Sequence, residues 1–244
     1  MSNRRGILYE GPSQLDGQPI VAIAVYSGDN KKTGAMVQTF ILRADQSPVD
    51  AVRSGADASI CGSCPHRGNG FAGRSCYVNV GQAPGSVWRA WKRGSYRVLA
   101  PSGAAALGAG VPVRLGSYGD PAAVPLEVWR ALVSRAAGWS GYTHQWRHLN
   151  NWGDLETGWR ELFMASCDSA TDALEARETG WRPFRVRLAD EPLLPKEFTC
   201  PASEEAGKKL QCVQCRSCGG ANGQTGSPAI IAHGALAIYF RSHK

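Results

Sequence analysis

Val111-Pro-Val-Arg-Leu-Gly-Ser-Tyr-Gly-Asp-Pro-Ala-Ala-Val-Pro-Leu-Glu-Val-Trp-Arg-Ala-Leu-Val-Ser-Arg-Ala-Ala-Gly-Trp-Ser-Gly-Tyr-Thr143 carries the grammar of the whole chain. Pro112–Leu115 reads as a short strand, and Gly116–Pro121 as a loop rich in turn residues. Leu126–Ala137 reads as an amphipathic helix with Val128, Trp129, Leu132 and Val133 apolar, and Trp139–Thr143 as a second strand. The same alternation continues downstream. Glu161–Ser166 reads as a strand, Ser169–Glu178 as a helix N-capped by Ser169 and ended at Gly180, and Phe184–Leu188 as a strand. Strands alternating with helices of this length predict parallel βαβ units.

Upstream, Ile20–Tyr26 and Met36–Leu42 are apolar, β-branched runs around the turn Ser27–Gly34, which predicts a hairpin. Asp50–Gly55 and Ser86–Lys92 have helical character, while the Ala/Gly stretch Ser102–Gly110 fits a loop or a loose helix. Ile230–Phe240 is expected to add a last strand. The expected fold is α/β, an incomplete or open β/α barrel with an N-terminal β-hairpin and a Cys-rich, loop-rich C-terminal segment. It is read as one domain over 1–244: hairpin and first cysteine group (20–110), βαβ units (111–190) and a cluster-binding segment (191–244).

The sharpest chemical signal is Cys200-Pro201, eleven residues, then Cys212-x-x-Cys215-x-x-Cys218. A thiol at every third residue of a tight turn, with a remote Cys-Pro, is the spacing that wraps an iron–sulfur cubane. Zinc, which also accepts four thiolates at CxxC spacing, is the chemical alternative. A near mirror image lies upstream, Cys61-x-x-Cys64-Pro65 and then Cys76. Three thiols leave a metal one ligand short, so His66 or Cys167 is a candidate to complete a second site, or the two groups share one. The segment 203–209, acids first and bases last, reads as a short capped helix between Cys200 and Cys212.

The N-terminal residues are basic with no apolar run behind them, so no secretory signal and no membrane partner are expected. Eight cysteines then imply reduced thiols in a cytoplasm. The net charge of +7 falls to about +5 with a cluster bound, because four thiolates and a 2+ core add about −2. That mild excess permits contact with nucleic acid or a redox partner and demands neither.

In parallel β/α folds functional side chains collect at the C-terminal ends of strands. Here those positions hold Ser117, Tyr118, Asp120, Thr143, His144, Cys167 and Asp168. Ser117, Asp120, Ser140, His144 and Asp168 form the candidate catalytic set, with an esterase-like Ser–His–Asp hydrolase as one outcome. Ser140 lies in Gly138-Trp-Ser-Gly-Tyr142, short of the G-x-S-x-G elbow. His144 and His148 have the i, i+4 step of zinc proteases without the Glu after the first His. Trp88, Trp91, Lys92, Arg93, Tyr96 and Arg97 interleave bases with aromatics, a pattern compatible with a zinc-stabilised protein that stacks on single-stranded nucleic acid.

Lys32-Thr33-Gly34-x-Met36-Val37-Gln38, Cys61-x-x-Cys64-Pro65, Cys76-Tyr77-Val78, Gly116-x-Tyr118-Gly119-Asp120-Pro121 and the closing cysteine run together resemble a group of cysteine-rich bacteriophage proteins. The resemblance implies a [4Fe–4S] cluster on a fold related to the radical-SAM partial barrel. The Cys-x3-Cys-x2-Cys motif of working radical-SAM enzymes is absent, and four local ligands would leave no iron open.

Overall fold

The computed structural model describes residues 4–28, 30–150, 156–207, 210–221 and 226–243. Asp29 of the expected hairpin turn, residues 151–155 downstream of the expected strand Trp139–Thr143, and Lys208 and Lys209 lie outside them. Among the described residues nine strands form one sheet: β1 (Arg5–Pro12), β2 (Pro19–Ser27), β3 (Met36–Arg43), β4 (Pro112–Tyr118), β5 (Gly138–Thr143), β6 (Met164–Cys167), β7 (Pro183–Arg187), β8 (Glu197–Thr199) and β9 (Ser227–Ile231). Helices α1 (Pro48–Ser54), α2 (Ala58–Cys61), α3 (Ala83–Lys92) and α4 (Pro101–Gly108) separate β3 from β4. Then follow α5 (Leu126–Val133), α6 (Trp146–Leu149), α7 (Glu156–Leu162), α8 (Ala170–Glu178), α9 (Cys212–Cys215) and α10 (Ala235–Ser242).

The strand order is β1-β2-β3-β4-β5-β6-β7-β9-β8, with β1–β2–β3 antiparallel and every later pairing parallel. The protein is therefore a mixed α/β fold on a mostly parallel sheet. β1 and β8 end the sheet without pairing to each other, so it is open. From β3 to β7 the parallel strands lie side by side in chain order. With the right-handed crossovers that parallel strands adopt as a rule, this order puts the crossover helices on one face and has no topological switch point. β3 is buried along its whole length, as its near-continuous apolar run requires of a central strand.

Several sequence expectations shift. The Ala/Gly stretch is the helix α4, and its small residues let it lie tight on α5: a Cβ on Gly108 would collide with the Leu132 carbonyl. The expected strand Glu161–Ser166 begins only at Met164, because Trp159, Leu162 and Phe163 are buried at helical spacing around the end of α7. Ile230–Phe240 is the end of β9 followed by α10, whose Leu236, Tyr239 and Phe240 repeat at i, i+3, i+4. The expected 203–209 helix is a series of turns through Gly207. β1 and β8 were not expected at all. Among the described residues no helix is long and apolar enough to cross a membrane.

Candidate functional site

The two cysteine groups sit at opposite ends of the parallel strands. The C-terminal group runs along the N-terminal ends. Cys212 N donates to Lys32 O (3.3 Å) and Val213 N to Thr33 O (3.0 Å), just before β3. Arg216 Nη1 donates to Ala137 O (3.0 Å), just before β5. Ala221 N donates to Arg160 O (2.8 Å), close before β6, and Arg182 Nη1 donates to Gly220 O (3.0 Å), just before β7. Within this segment the charges of Cys200, Cys212 and Cys215 all reach Cys218, and the Tyr142 hydroxyl hydrogen-bonds to it. Burial, opposed by the Tyr142 bond and reinforced by the neighbouring thiols, pushes the Cys218 thiol up to about 12. Burial likewise raises Cys200 and Cys212. Three cations stand around the group: Lys32 near Cys200 and Cys212, Arg114 near Cys212, and Arg182 near Cys215 and Cys218. All eight cysteines are free of disulfides.

The first group runs along the C-terminal ends. Asp120 N, after β4, donates to Ile60 O (2.6 Å). The Gln145 side chain, after β5, donates to Cys61 O (3.1 Å) and accepts from Ser63 Oγ (3.0 Å). Cys76 N donates to His66 O (2.9 Å), closing the loop back on the CxxC turn. Cys61 is pushed well up by burial and then by the charges of Cys64, Asp57 and Cys76. The side chain in contact with Cys64 is His144, where the sequence offered His66 or Cys167. Cys167 is fully buried with its sulfur on Ala165 O (3.5 Å), among Asp172, Asp168, Arg147 and Glu197.

His144 and Asp168, from the ends of β5 and β6, are brought together. His144 Nε2 lies 3.4 Å from Asp168 Oδ2, and Asp168 Oδ1 lies 3.0 Å from His66 Nε2. Burial pulls His144 down, but the neighbouring Cys64 and Asp168 groups hold it well above its ordinary value. Burial would raise Asp168, and the two imidazoles outweigh it to hold the carboxyl low. Asp120 serves this site through the backbone: its carboxylate accepts from His144 N (2.8 Å), Thr143 Oγ1 (2.7 Å) and Ala122 N (3.0 Å). Ser117 donates to Gln38 Oε1 (2.5 Å), and Ser140 is buried on β5 opposite Arg114. Neither serine hydrogen-bonds to His144. His148 is exposed on α6, at the edge of the cavity that His144 also lines.

No family model, curated protein or solved structure matches the chain.

The aromatic and basic segment around α3 is engaged with its own protein. Trp88 Nε1 donates to Arg43 O (3.1 Å), and Lys92 Nζ stands over the Trp88 and Trp91 rings while donating to Ala44 O (3.2 Å). Arg5 covers Tyr96. Sequence reasoning passed over His66 as part of an acid-linked pair. The signal available was its place two residues after Cys64, together with strand-end positions that already pointed to His144 and Asp168.

Proposed function

We propose that this chain is a phage-type iron–sulfur protein, cytoplasmic in its host, in which Cys200, Cys212, Cys215 and Cys218 hold a [4Fe–4S] cluster on an incomplete β/α barrel. The observation that supports this reading is that Cys200, Cys212 and Cys215, none of them in a disulfide, lie close enough to Cys218 for their charges to reach it, with Lys32, Arg114 and Arg182 alongside. A cluster with four thiolates carries about −2, and three nearby cations offset that charge. The third equally spaced thiol, Cys218 after Cys212 and Cys215, favours the cubane over zinc.

Bound there, the cluster supplies one-electron chemistry or a structural clamp. The chain's own groups do the rest: the Tyr142 hydroxyl and the Gly141 N–H to Cys218 O bond (3.1 Å) seat the last ligand against β5. Arg114 Nη2 also donates to Tyr77 Oη (2.8 Å), beside Cys76, so one guanidinium joins the surroundings of both thiol groups. The test is the visible spectrum of purified variants. Cys215→Ala should lose the brown, reductant-bleachable absorption and Cys167→Ala should keep it; the reverse pattern would show that other thiols ligate.

A further inference from the structure

The strand-end cluster of His66, His144 and Asp168 is separate from the C-terminal thiols and has the donor set of a different centre. We propose that these three side chains form a mononuclear site for a divalent first-row transition ion, with open coordination positions facing the adjoining cavity.

Three observations carry this. The first is convergence. His66 comes from the short turn Pro65–Arg67, His144 from the end of β5 and Asp168 from the end of β6, yet one ligand atom of each lies within 4.8 Å of the other two. The two pairs with Asp168 measure 3.0 and 3.4 Å. Adjacent donors on an ion with bonds of about 2.1 Å sit about 3 Å apart, so little movement separates this arrangement from a coordinated one.

The second is an orphan atom. His144 Nε2 is buried and makes no well-formed hydrogen bond, although Asp168 is near. A buried ring nitrogen left in this state is costly unless something else engages it. A closed hydrogen-bonded network would have aligned it.

The third is the surroundings. His66 Nδ1 is held by Ser75 Oγ (2.9 Å), the outer contact that fixes a ligating imidazole. Its ring packs against Tyr239 and Phe240, with centroids 5.1 and 5.8 Å away, which shields that side. Asp120 fixes the His144 backbone. Beside it lies a cavity of about 300 Å3 lined by His144, Asp168, Ser63, Ser166, Arg147 and Tyr239. Two imidazoles and one carboxylate grouped beside a cavity are the ligand set of ions that bind and activate a small molecule, as in non-haem ferrous and catalytic zinc centres.

Co2+ is the probe, because its spectrum tells nitrogen and oxygen donors from thiolates. Full-length protein dialysed against EDTA should take up one equivalent with weak visible bands and no sulfur-to-cobalt charge transfer, and its thermal midpoint should rise. Cys215→Ala should bind the same way, which separates this site from the proposed cluster. Asp168→Ala should bind at least tenfold more weakly, Asp168→Glu should recover part of the loss, and Ser75→Ala should weaken binding about 10–100-fold. Uptake unchanged in both Asp168→Ala and Ser75→Ala would overturn the proposal. So would absence of uptake at millimolar Co2+, or intense charge-transfer bands that disappear in Cys64→Ser.

Discussion

Glu197→Ala should remove a large part of the stability of this fold. Arg185 on β7 and Glu197 on β8 reach each other across the intervening strand β9, where the small Ala229 pairs with Arg185 and with Thr199. The fork is bidentate, with Arg185 Nε to Oε1 at 3.0 Å and Nη2 to Oε2 at 2.7 Å, and the two side chains are 1% and 0% exposed. Removing the carboxylate leaves a buried guanidinium with Pro192 O at 2.8 Å and Glu191 at 3.6 Å. Breaking a buried pair from one side costs about 3–5 kcal/mol, against a total of roughly 5–15 kcal/mol for a domain. At this chain length the thermal midpoint should fall by on the order of 10 °C. Burial raises the Glu197 carboxyl, but the Arg185 hydrogen bonds and the Leu194 N–H outweigh it, so its folded value is depressed. The parent therefore has the full contribution above the unfolded value of about 4.3 and loses it as pH falls through the folded value. The variant should lack that acid-limb loss. Replacing both partners by Met should recover most of the stability. Denaturant unfolding at pH 7 is the assay. A cost below about 1 kcal/mol, with an unchanged acid limb, would refute the claim that the pair is sealed from water.

Three further outcomes follow from local geometry. Gly220 has φ +61° and no room for a Cβ against the Glu161 carbonyl. Gly220→Ala should therefore unseat the Cys218 turn, lowering the brown absorption and the thermal midpoint together, with a cost of about 1–2 kcal/mol from the backbone alone. Ser169 caps α8 by accepting from Asp172 N (3.0 Å); Ser169→Ala should cost about 1 kcal/mol in denaturant unfolding, with the metal content unchanged. Arg114→Met removes a cation beside Cys212 and should make the proposed cluster harder to reduce, seen as a lower midpoint in a redox titration.

The alternation of βαβ units was readable because Val113, Leu115, Trp129 and Leu132 repeat at the period of their own element and bury accordingly. What escaped reading had physical causes. The apolar run Leu162–Met164 fits helix and strand alike, and only packing divides it between α7 and β6. α4 carries almost no large side chain, so its helix is stabilised by close approach to α5, which periodicity does not express. β8 is three residues long, too short for periodicity to show, and carries Glu197, which meets Arg185 across β9. For the site, the strand-end rule reached His144 and Asp168, but not the role of Asp120, which orients His144 through its backbone. Nor does spacing show that two similar cysteine groups end on opposite ends of one sheet; the chain connectivity decides that.

The measurement closest to the central claim is iron, zinc and acid-labile sulfide per chain in protein purified without added metal, compared between the parent and Cys215→Ala. The parent should carry about four irons and four sulfides and the variant neither. Zinc without sulfide in the parent would contradict it.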